Sequence, residues 1–418
     1  MTALLALNAR TFSSLRRHRN YRFYFIGQAV SQTGTWIDKI AQAWLILALT
    51  HSAVAVGLLA ACQFLPFTAL GLVAGVVVDR LDAWRTVVVT QAIRMVIATT
   101  LAVLVLTGLV EAWMVYALAG LTGVVLVLDA PSRQALTFQM VGRRELPNAV
   151  ALNSSLFNAA RIVGPGIGGL LIAAFGVGPA FAINAASFIA VLAGLLMMDP
   201  RKLVPVERPK ERPTLVRGVR EGLGYARRTP SVRLVLAMLV AISTVALNFN
   251  VLLPLLANKT LHAGPDVFGL LGASFGAGAL FGGLVAAALA RTSWKATVTA
   301  AGGLGLAELF LAPQHSLAPA AILLFVTGAC FTLYTANSNS ALQLGAPDHL
   351  RGRVIALYYF AFNGLAPLGG LLTGFLASTG GTALAFGVAG SVTLAVAAAA
   401  SPQVAQLRVA AGATRLRS

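Results

Sequence analysis

Charged residues are scarce in this sequence. They make up 11% of its 418 residues, whereas a soluble domain carries roughly a quarter. The polar residues are too few to cover a soluble surface, so lipid must be the solvent for most of the chain. Acids are the scarcest, 13 Asp and Glu against 31 Lys and Arg. No basic stripe on a soluble domain accompanies this excess, which argues against a nucleic-acid-binding protein.

Cysteine and histidine are also few. Cys62 and Cys330 lie inside apolar runs, where we expect core thiols rather than a disulfide. No His, Cys, Asp and Glu have the spacing of metal ligands, and no phosphate-binding loop occurs, so we expect neither a metal nor direct use of ATP. The phrase GASFG at 272–276 fits the hydrolase pattern G-x-S-x-G. It lies among further glycines in an apolar run, where helix packing explains it better, so we expect no enzyme.

Long apolar runs are what the chain has instead, and its mean hydropathy is +0.81. A helix needs about 20 apolar residues to cross a bilayer, and about twelve runs qualify. They lie near residues 21–49, 53–78, 85–108, 112–138, 150–175, 178–198, 231–257, 265–290, 294–312, 317–343, 353–378 and 380–402. A closed barrel would need short alternating strands. The sequence therefore predicts an all-α integral membrane protein with twelve transmembrane helices, numbered here as spans 1 to 12.

The basic residues set the orientation of the spans. They are concentrated at alternate connections: Arg10, Arg16, Arg17, Arg19, Arg22, Arg80, Arg85, Arg143, Arg144, Arg291, Lys295, Arg351, Arg353, Arg408, Arg415 and Arg417. Because positive charge favours the cytoplasmic side, we expect both termini in the cytoplasm of a bacterium and the spans in its inner membrane.

The longest connection divides the spans into six and six. Residues 199–230 are rich in Pro and charge at first, and then place apolar residues at helical spacing among arginines over 215–228, which predicts an amphipathic surface helix. The expected units are a cytoplasmic segment, a bundle, this linker, a second bundle and a cytoplasmic tail. Their boundaries are 1–20, 21–198, 199–230, 231–402 and 403–418.

An internal repeat relates the two bundles. The pattern A-x-S-x-x-A-L occurs at 130–136 and again at 336–342, each near the cytoplasmic end of the fourth span of its half. Further short matches follow in the same order, which indicates a duplication. Parallel halves related by an axis along the membrane normal are a known transporter plan, with the substrate site between them near midplane.

Span 1 carries a polar stripe on one face. Its members are Gln28, Ser31, Thr35, Asp38 and Gln42. Such a stripe must face protein or a water-filled cavity, and charged residues within spans are costly and usually functional. Asp38 is therefore the first candidate for proton coupling. An equally weighted alternative is a static salt bridge from Asp38 to Lys39 or to a neighbouring helix.

Few other charges lie inside the spans. Glu308 is a second candidate for proton coupling, although we favour its snorkelling toward the outer surface near His315. Asp129, Arg133 and Arg161 are interpreted as a buried ion network in the cytoplasmic half of spans 4 and 5. A structural or gating role is favoured for this network, with Asp129 kept as a third coupling candidate.

Polar residues of the second half complete a predicted cavity. Together with Ser31, Thr35, Asp38 and Gln42, its lining is expected to include Asn248, Asn250, Thr335, Asn339, Tyr358 and Asn363. This cavity would accept a moderately polar organic molecule.

The connection between spans 2 and 3 resembles the signature of the major facilitator superfamily. The matching residues are Gly75, Asp79, Arg80 and Arg85 in the phrase GVVVDRLDAWR. The resemblance covers essentially the whole chain and implies the major facilitator fold of two six-helix bundles. It also implies that Asp79 locks the cytoplasmic side by contacting a basic residue of span 4, for which Arg133 is the candidate. Asp82 departs from the pattern, because a glycine is usual there.

Span 5 contains GPGIGG, which resembles the G-P-x-x-G-G motif of exporters in this superfamily. Its residues are Gly164, Pro165, Gly168 and Gly169. Glycines also let neighbouring helices approach closely, so helix packing is the simpler interpretation and is expected in either case.

Three phrases narrow the resemblance further: SQTGTWIDKIAQAWL at 31–45, DAPSRQA at 129–135 and LPNAVALNS at 146–154. They resemble the proton-driven exporter branch that includes the enterobactin exporter and macrolide efflux proteins. The resemblance implies a monomeric antiporter in membrane lipid that exchanges protons for a small molecule such as a drug or siderophore, with the proton gradient in place of a cofactor. A nutrient importer, a non-transporting sensor or assembly factor, and a lipid flippase are the alternatives.

Overall fold

The computed structural model describes residues 12–78, 81–205, 215–289 and 294–415, and within these ranges the regular structure is helical. The N-terminal half comprises α1 (Ser13–Arg17), α2 (Arg19–Thr50), α3 (Ala53–Val78), α4 (Ala83–Leu106), α5 (Ala112–Phe175) and α6 (Val177–Leu196). The linker contains a 3-10 turn (Pro200–Lys202) and α7 (Leu215–Arg228). The C-terminal half comprises α8 (Pro230–Val245), α9 (Phe249–Leu255), a π-helical turn (Leu256–Thr260), α10 (Pro265–Leu289), α11 (Trp294–Leu311), α12 (Leu317–Gly345), α13 (Asp348–Asn363) and α14 (Ala366–Arg415).

Eight helical stretches of the described residues are long and apolar enough to cross a membrane. Two of them have 64 and 50 residues, which is more than twice the length that one crossing needs. The helices at predicted spans 1 and 9, α2 and α11, are not among the eight. Both carry charged residues in their interiors, and α2 bears the polar stripe.

Several predicted span boundaries differ from the observed helices. Spans 4 and 5 belong to one helical stretch, α5, interrupted at Gly142, where φ is 67°. Span 11 begins in α13 and ends in α14, which also contains span 12. This last helix is interrupted at Gly380 and Gly381 and continues to Arg415, beyond the predicted end at 402. Glycine makes a positive φ accessible without a side-chain clash, so a chain reversal needs no separate loop here. The break at Gly142 lies in the predicted connection between spans 4 and 5, and the break at Gly380 and Gly381 lies at the predicted start of span 12.

The exporter-type motif packs α5 against two helices at once. A Cβ at Gly168 would lie 3.3 Å from the Ile37 Cα of α2, and one at Gly169 would lie 2.7 Å from the Gly269 Cα of α10. Small residues on both sides permit this approach of the backbones. The motif therefore joins the first span to the second half, and the expected packing role is present.

The two halves meet closely at the ends of the helices that the charge pattern assigns to the outside. Gly169 and Gly269 form one such contact, and Gly57 on α3 approaches Gly374 on α14. The Trp44 and Phe268 rings stack with centroids 6.1 Å apart, joining α2 to α10. Deeper in the membrane, Thr68 Oγ1 donates a hydrogen bond to the Gly364 carbonyl at 2.8 Å. In this arrangement the outer ends of the halves are closed against each other.

Short helices are anchored at the opposite ends of the spans. The side chains of Ser13 and Arg17 on α1 bind the Glu145 carboxylate, near the Gly142 break. On α7, the amphipathic helix predicted by the sequence, Glu221 pairs with Arg353. Each contact anchors a short helix to a neighbouring longer helix, α1 to α5 and α7 to α13.

Candidate functional site

A cavity of about 470 Å³ lies inside the N-terminal half. The polar stripe of α2 forms one wall, contributing Thr35, Asp38 and Gln42, with Gln28 deeper along the same face. Ser31, predicted to line a cavity, is buried and is absent from its wall. The opposite wall belongs to α4 and α5, which contribute Arg94 and further polar side chains. The helical periodicity of the stripe thus correctly predicted that α2 faces a cavity.

Asp38 is held by amides in this cavity. Its Oδ2 accepts a hydrogen bond from Gln42 Nε2 at 2.7 Å, and Gln42 Oε1 accepts one from Gln63 Nε2 of α3 at 3.1 Å. The predicted static salt bridge to Lys39 is not formed. The Lys39 ammonium lies over the ring of Trp36 instead, 4.3 Å from its centroid. Successive side chains on a helix point about 100° apart, so the side chains of Asp38 and Lys39 point in different directions.

Arg94 is a basic residue on the wall of the cavity opposite Asp38. It is buried on α4, with its guanidinium over the Phe188 ring at 5.0 Å and one nitrogen 3.5 Å from Thr35 Oγ1. Asp38 and Asp129 both interact with it electrostatically. A positive charge between two acids lets either of them remain charged within the membrane.

Asp129 is fully buried, and its carboxylate has several partners. It pairs with Arg133 and accepts hydrogen bonds from Thr90 Oγ1 at 2.7 Å and Gln91 Nε2 at 2.8 Å. Arg133 also donates to Gln28 Oε1 at 2.7 Å. A carboxylate with so many donors favours the structural interpretation over a role in proton exchange.

Arg161 does not join this network, and the three-residue interpretation was wrong in that respect. It lines a second cavity of about 200 Å³ between the two halves. Its guanidinium lies 4.9 Å from the ring centroid of Phe275, 5.3 Å from that of Phe331 and 5.9 Å from that of Trp36. Helical spacing alone could not show that residue 161 turns toward the other half.

The central cavity contains residues from both halves. The predicted Asn248, Asn250 and Asn363 line it, together with Lys39 and Arg161. Its apolar wall is rich in rings: Trp36, Phe64, Phe249, Phe268, Phe275, Phe331 and Phe362. The sequence analysis missed these aromatic residues, because in an apolar helix a ring facing a cavity has the same pattern as a ring facing lipid.

Three other predicted lining residues are placed outside both cavities. Tyr358 Oη donates a hydrogen bond to the Thr335 carbonyl at 3.0 Å, and Asn339 accepts one from Gln343. The first contact links α12 to α13, and the second lies within α12. None of the three appears among the residues that line the two cavities.

Glu308 does not snorkel, so the favoured interpretation of this residue was wrong. It is fully buried, and Thr393 of α14 lies beside it. Gly305, one turn earlier, touches Gly390 of α14, which explains why the side chain cannot leave toward the surface. Glu308 also lies outside the two cavities, so the structure gives it no contact with a transported molecule.

The residues predicted to form a cytoplasmic gate are only partly described. Asp79 and Arg80 lie outside the described residues, while Gly75 lies within α3 and Arg85 in the first turn of α4. Asp82, the departure from the signature, caps α4: its Oδ1 accepts the backbone N–H of Arg85 at 2.8 Å. Aspartate is among the preferred residues at a helix N-cap, where it satisfies a free backbone donor. The lock between Asp79 and Arg133 stays a prediction.

The chain is similar to known membrane transporters in sequence and in fold. Residues 9–414 match the model of a major facilitator family described as transmembrane secretion effector. The staphyloferrin A transporter of Staphylococcus aureus is 23% identical over 90% of this chain and 94% of its own length. The multidrug efflux pump Tap of Mycolicibacterium fortuitum is 29% identical over 83% of this chain and 87% of the pump.

Macrolide efflux protein A of Streptococcus pyogenes is 22% identical over 92% of this chain and 96% of that protein. Among solved structures, a POT family transporter in complex with a thioalcohol conjugated peptide superimposes with a TM-score of 0.75 at 11% identity. It covers 92% of this chain and 96% of the other. That likeness concerns the fold, and it confirms the predicted all-α major facilitator architecture.

Proposed function

Because the chain belongs to the transmembrane secretion effector family of the major facilitator superfamily and is a membrane transporter rather than an enzyme, we propose that it exports a small organic molecule in exchange for protons. The cargo class is that of a drug or a siderophore, since an efflux pump, a macrolide efflux protein and a staphyloferrin A transporter are among its relatives. The proposed location is a bacterial inner membrane, with both termini in the cytoplasm and the monomer as the working unit.

The observation that carries the proton-coupling proposal is the position of Asp38. Its carboxylate lies in a cavity within the membrane, where Gln42 is its hydrogen-bonded partner. An amide can donate to the ionised carboxylate and accept from the protonated acid, so Gln42 suits both protonation states. Asp129, the competing acid, is held by an arginine and two further donors. Asp38 is therefore the acid best suited to gain and lose a proton during transport.

The closed outer contacts suit the loading step of an exporter. With Gly169 against Gly269 and Trp44 against Phe268, cargo enters from the cytoplasmic side and reaches the central cavity. Separation of these contacts would then open the cavity outward. We propose that the Asp79–Arg133 contact closes the cytoplasmic side in that second state. Arg133 would then have to share or leave its present partners, Asp129 and Gln28.

Uptake into everted membrane vesicles tests the proposal. Respiration acidifies the vesicle interior, so a proton-coupled exporter accumulates erythromycin or staphyloferrin A there, and collapse of the pH gradient releases it. Asp38→Asn should abolish this gradient-driven uptake, while the matched variant Glu308→Gln, whose side chain lies outside both cavities, should retain it.

Four results would contradict the proposal in different ways. Uptake by intact cells, but not by everted vesicles, would indicate an importer. Gradient-driven uptake that is unchanged in Asp38→Asn would remove Asp38 from proton coupling. A lack of transport across a broad panel of compounds would favour a non-transporting membrane protein, and movement of fluorescent phospholipid between leaflets would favour a flippase.

A further inference from the structure

The central cavity has an unusual balance of charge. Lys39 and Arg161 both line it, and no aspartate or glutamate does so among the described residues. Within the same part of the chain, neither cation forms an ion pair with a carboxylate. Two positive charges therefore face a space within the membrane where each is partnered by aromatic rings.

The two cations lie on the same aromatic ring. The Lys39 Nζ is 4.3 Å from the Trp36 centroid, and the Arg161 Cζ is 5.9 Å from it. Arg161 also contacts Phe275 and Phe331, which come from the other half. Ring faces attract cations, but they carry no net charge that could compensate two of them. The pair repels itself electrostatically, and a bound anion would relieve that repulsion.

From this geometry we infer that the cargo is an organic anion. A carboxylate or a similar oxyanion would lie between Lys39 and Arg161, because a guanidinium can bind a carboxylate through two parallel hydrogen bonds. The aromatic wall would contact an apolar or planar body, and Asn248 and Asn250 offer hydrogen bonds to its polar groups. The inference rests on the proposed transport function and adds the charge class of the cargo to it.

The shape of the site accommodates such a molecule. The central cavity and the cavity of the N-terminal half share Lys39, Gln63 and Phe64 as lining residues. A cargo larger than the central space can therefore extend past Lys39 into the cavity of the N-terminal half. The direction of transport also fits, since a membrane potential that is negative inside drives an anion outward.

Binding to the purified full-length protein tests the inference without depending on transport. Three probes share one aromatic body and differ in charge: 2-naphthylacetate, the neutral 2-naphthylacetamide and the cationic 2-naphthylethylammonium. Isothermal titration calorimetry should show the carboxylate binding at least about tenfold more tightly than the amide. That preference should fall to near unity in Lys39→Gln and in Arg161→Gln, and Lys39→Arg should restore it.

Lys259→Gln is the matched control, because Lys259 is exposed and lies outside the cavity wall. It removes the same charge and should leave the preference unchanged. A thermal melting curve for each variant separates lost binding from lost folding. Equal affinity for the three probes, tighter binding of the amide or the ammonium, or no binding of the carboxylate at millimolar concentration would overturn the inference. None of these results would affect the vesicle experiment on export, so the two proposals fail separately.

Discussion

Asp129 and Arg133 form a buried ion pair one helical turn apart on α5, and Thr90 and Gln91 of α4 complete the coordination of the carboxylate. This cluster ties α4 to α5 within the N-terminal half, and Arg133 extends it to α2 through Gln28. This buried ion pair, with its hydrogen bonds satisfied, holds three helices in their relative positions. Such a structural role does not require the pair to exchange protons with solvent.

Removal of one partner from this cluster should destabilise the protein strongly. Asp129→Ala leaves Arg133 buried without its acid, and loss of one member of a buried pair costs about 3–5 kcal/mol. Thermal unfolding of the purified protein should show a large decrease in melting temperature. The double variant Asp129→Asn/Arg133→Gln, which leaves no unpaired charge, should recover part of the loss. If Asp129→Ala instead melted like the unchanged protein, the cluster would have no structural role.

The contact between α5 and α10 makes a second prediction. Gly169→Ala would place a Cβ 2.7 Å from the Gly269 Cα, so the backbones would have to separate. Overpacking of this kind costs about 1–3 kcal/mol. Because the contact lies where the halves close, we expect impaired export and greater labelling of a cysteine introduced in the central cavity from the outside.

Gly387→Ala provides the comparison for that experiment. Nothing lies within 4 Å of a Cβ at this position, and alanine favours a helix over glycine by about 1 kcal/mol. Export and outside labelling should match those of the unchanged protein. If Gly169→Ala behaved like Gly387→Ala in both measurements, closure would not depend on the α5–α10 contact.

Asp82 should act through the end of a helix. Asp82→Ala removes the acceptor for the Arg85 N–H, and loss of such a cap costs about 0.5–2 kcal/mol. Asp82→Asn keeps an oxygen in the same place and should retain most of the stability. Melting temperatures of the two variants check this order. Equal losses in both would show that the charge matters more than the cap.

The sequence predicted the helices of this fold well, because a bilayer imposes a length and a composition on every span. The polar stripe of α2 also showed which face of that helix turns away from lipid, since a helix in a bilayer keeps its polar residues out of the hydrocarbon. The breaks at Gly142 and at Gly380–Gly381 fall at the predicted connections between spans 4 and 5 and between spans 11 and 12, but the glycines were missed as the turning points. The environments of Arg161 and Glu308 were also missed, because they depend on which neighbour packs on which face. Helical periodicity gives the face of a helix and does not identify its partner.

The anchor of α1 should respond to acid. The hydrogen bond from Ser13, with the Arg17 charge beside it, holds the pKa of Glu145 below its ordinary value near 4.5. A depressed pKa means that the carboxylate stabilises the anchored state at neutral pH and loses this effect as the pH falls below about 4.5.

Hydrogen exchange of the amides in residues 13–17 measures that response. It should accelerate as the pH is lowered from neutral toward 3, after correction for the intrinsic rate. Glu145→Gln should exchange faster at neutral pH and show little further change. The exposed Glu111, at the other end of the spans, supplies the control variant Glu111→Gln. If the corrected exchange rates of the protein without substitutions did not change with pH over this range, the Glu145 carboxylate would have no role in holding α1.

Replacement of Asp38 should change anion binding and proton coupling in opposite directions. Asp38 attracts Lys39 electrostatically, so its negative charge weakens the hold of Lys39 on an anion. Asp38→Asn removes that competition, and an interaction of about 1 kcal/mol would tighten binding of 2-naphthylacetate about fivefold. The same variant should lose proton-driven export.

Calorimetry and vesicle uptake on one preparation measure both effects. Weaker binding in Asp38→Asn would contradict the electrostatic competition between Asp38 and the anion, and retained export would mean that another group carries the proton.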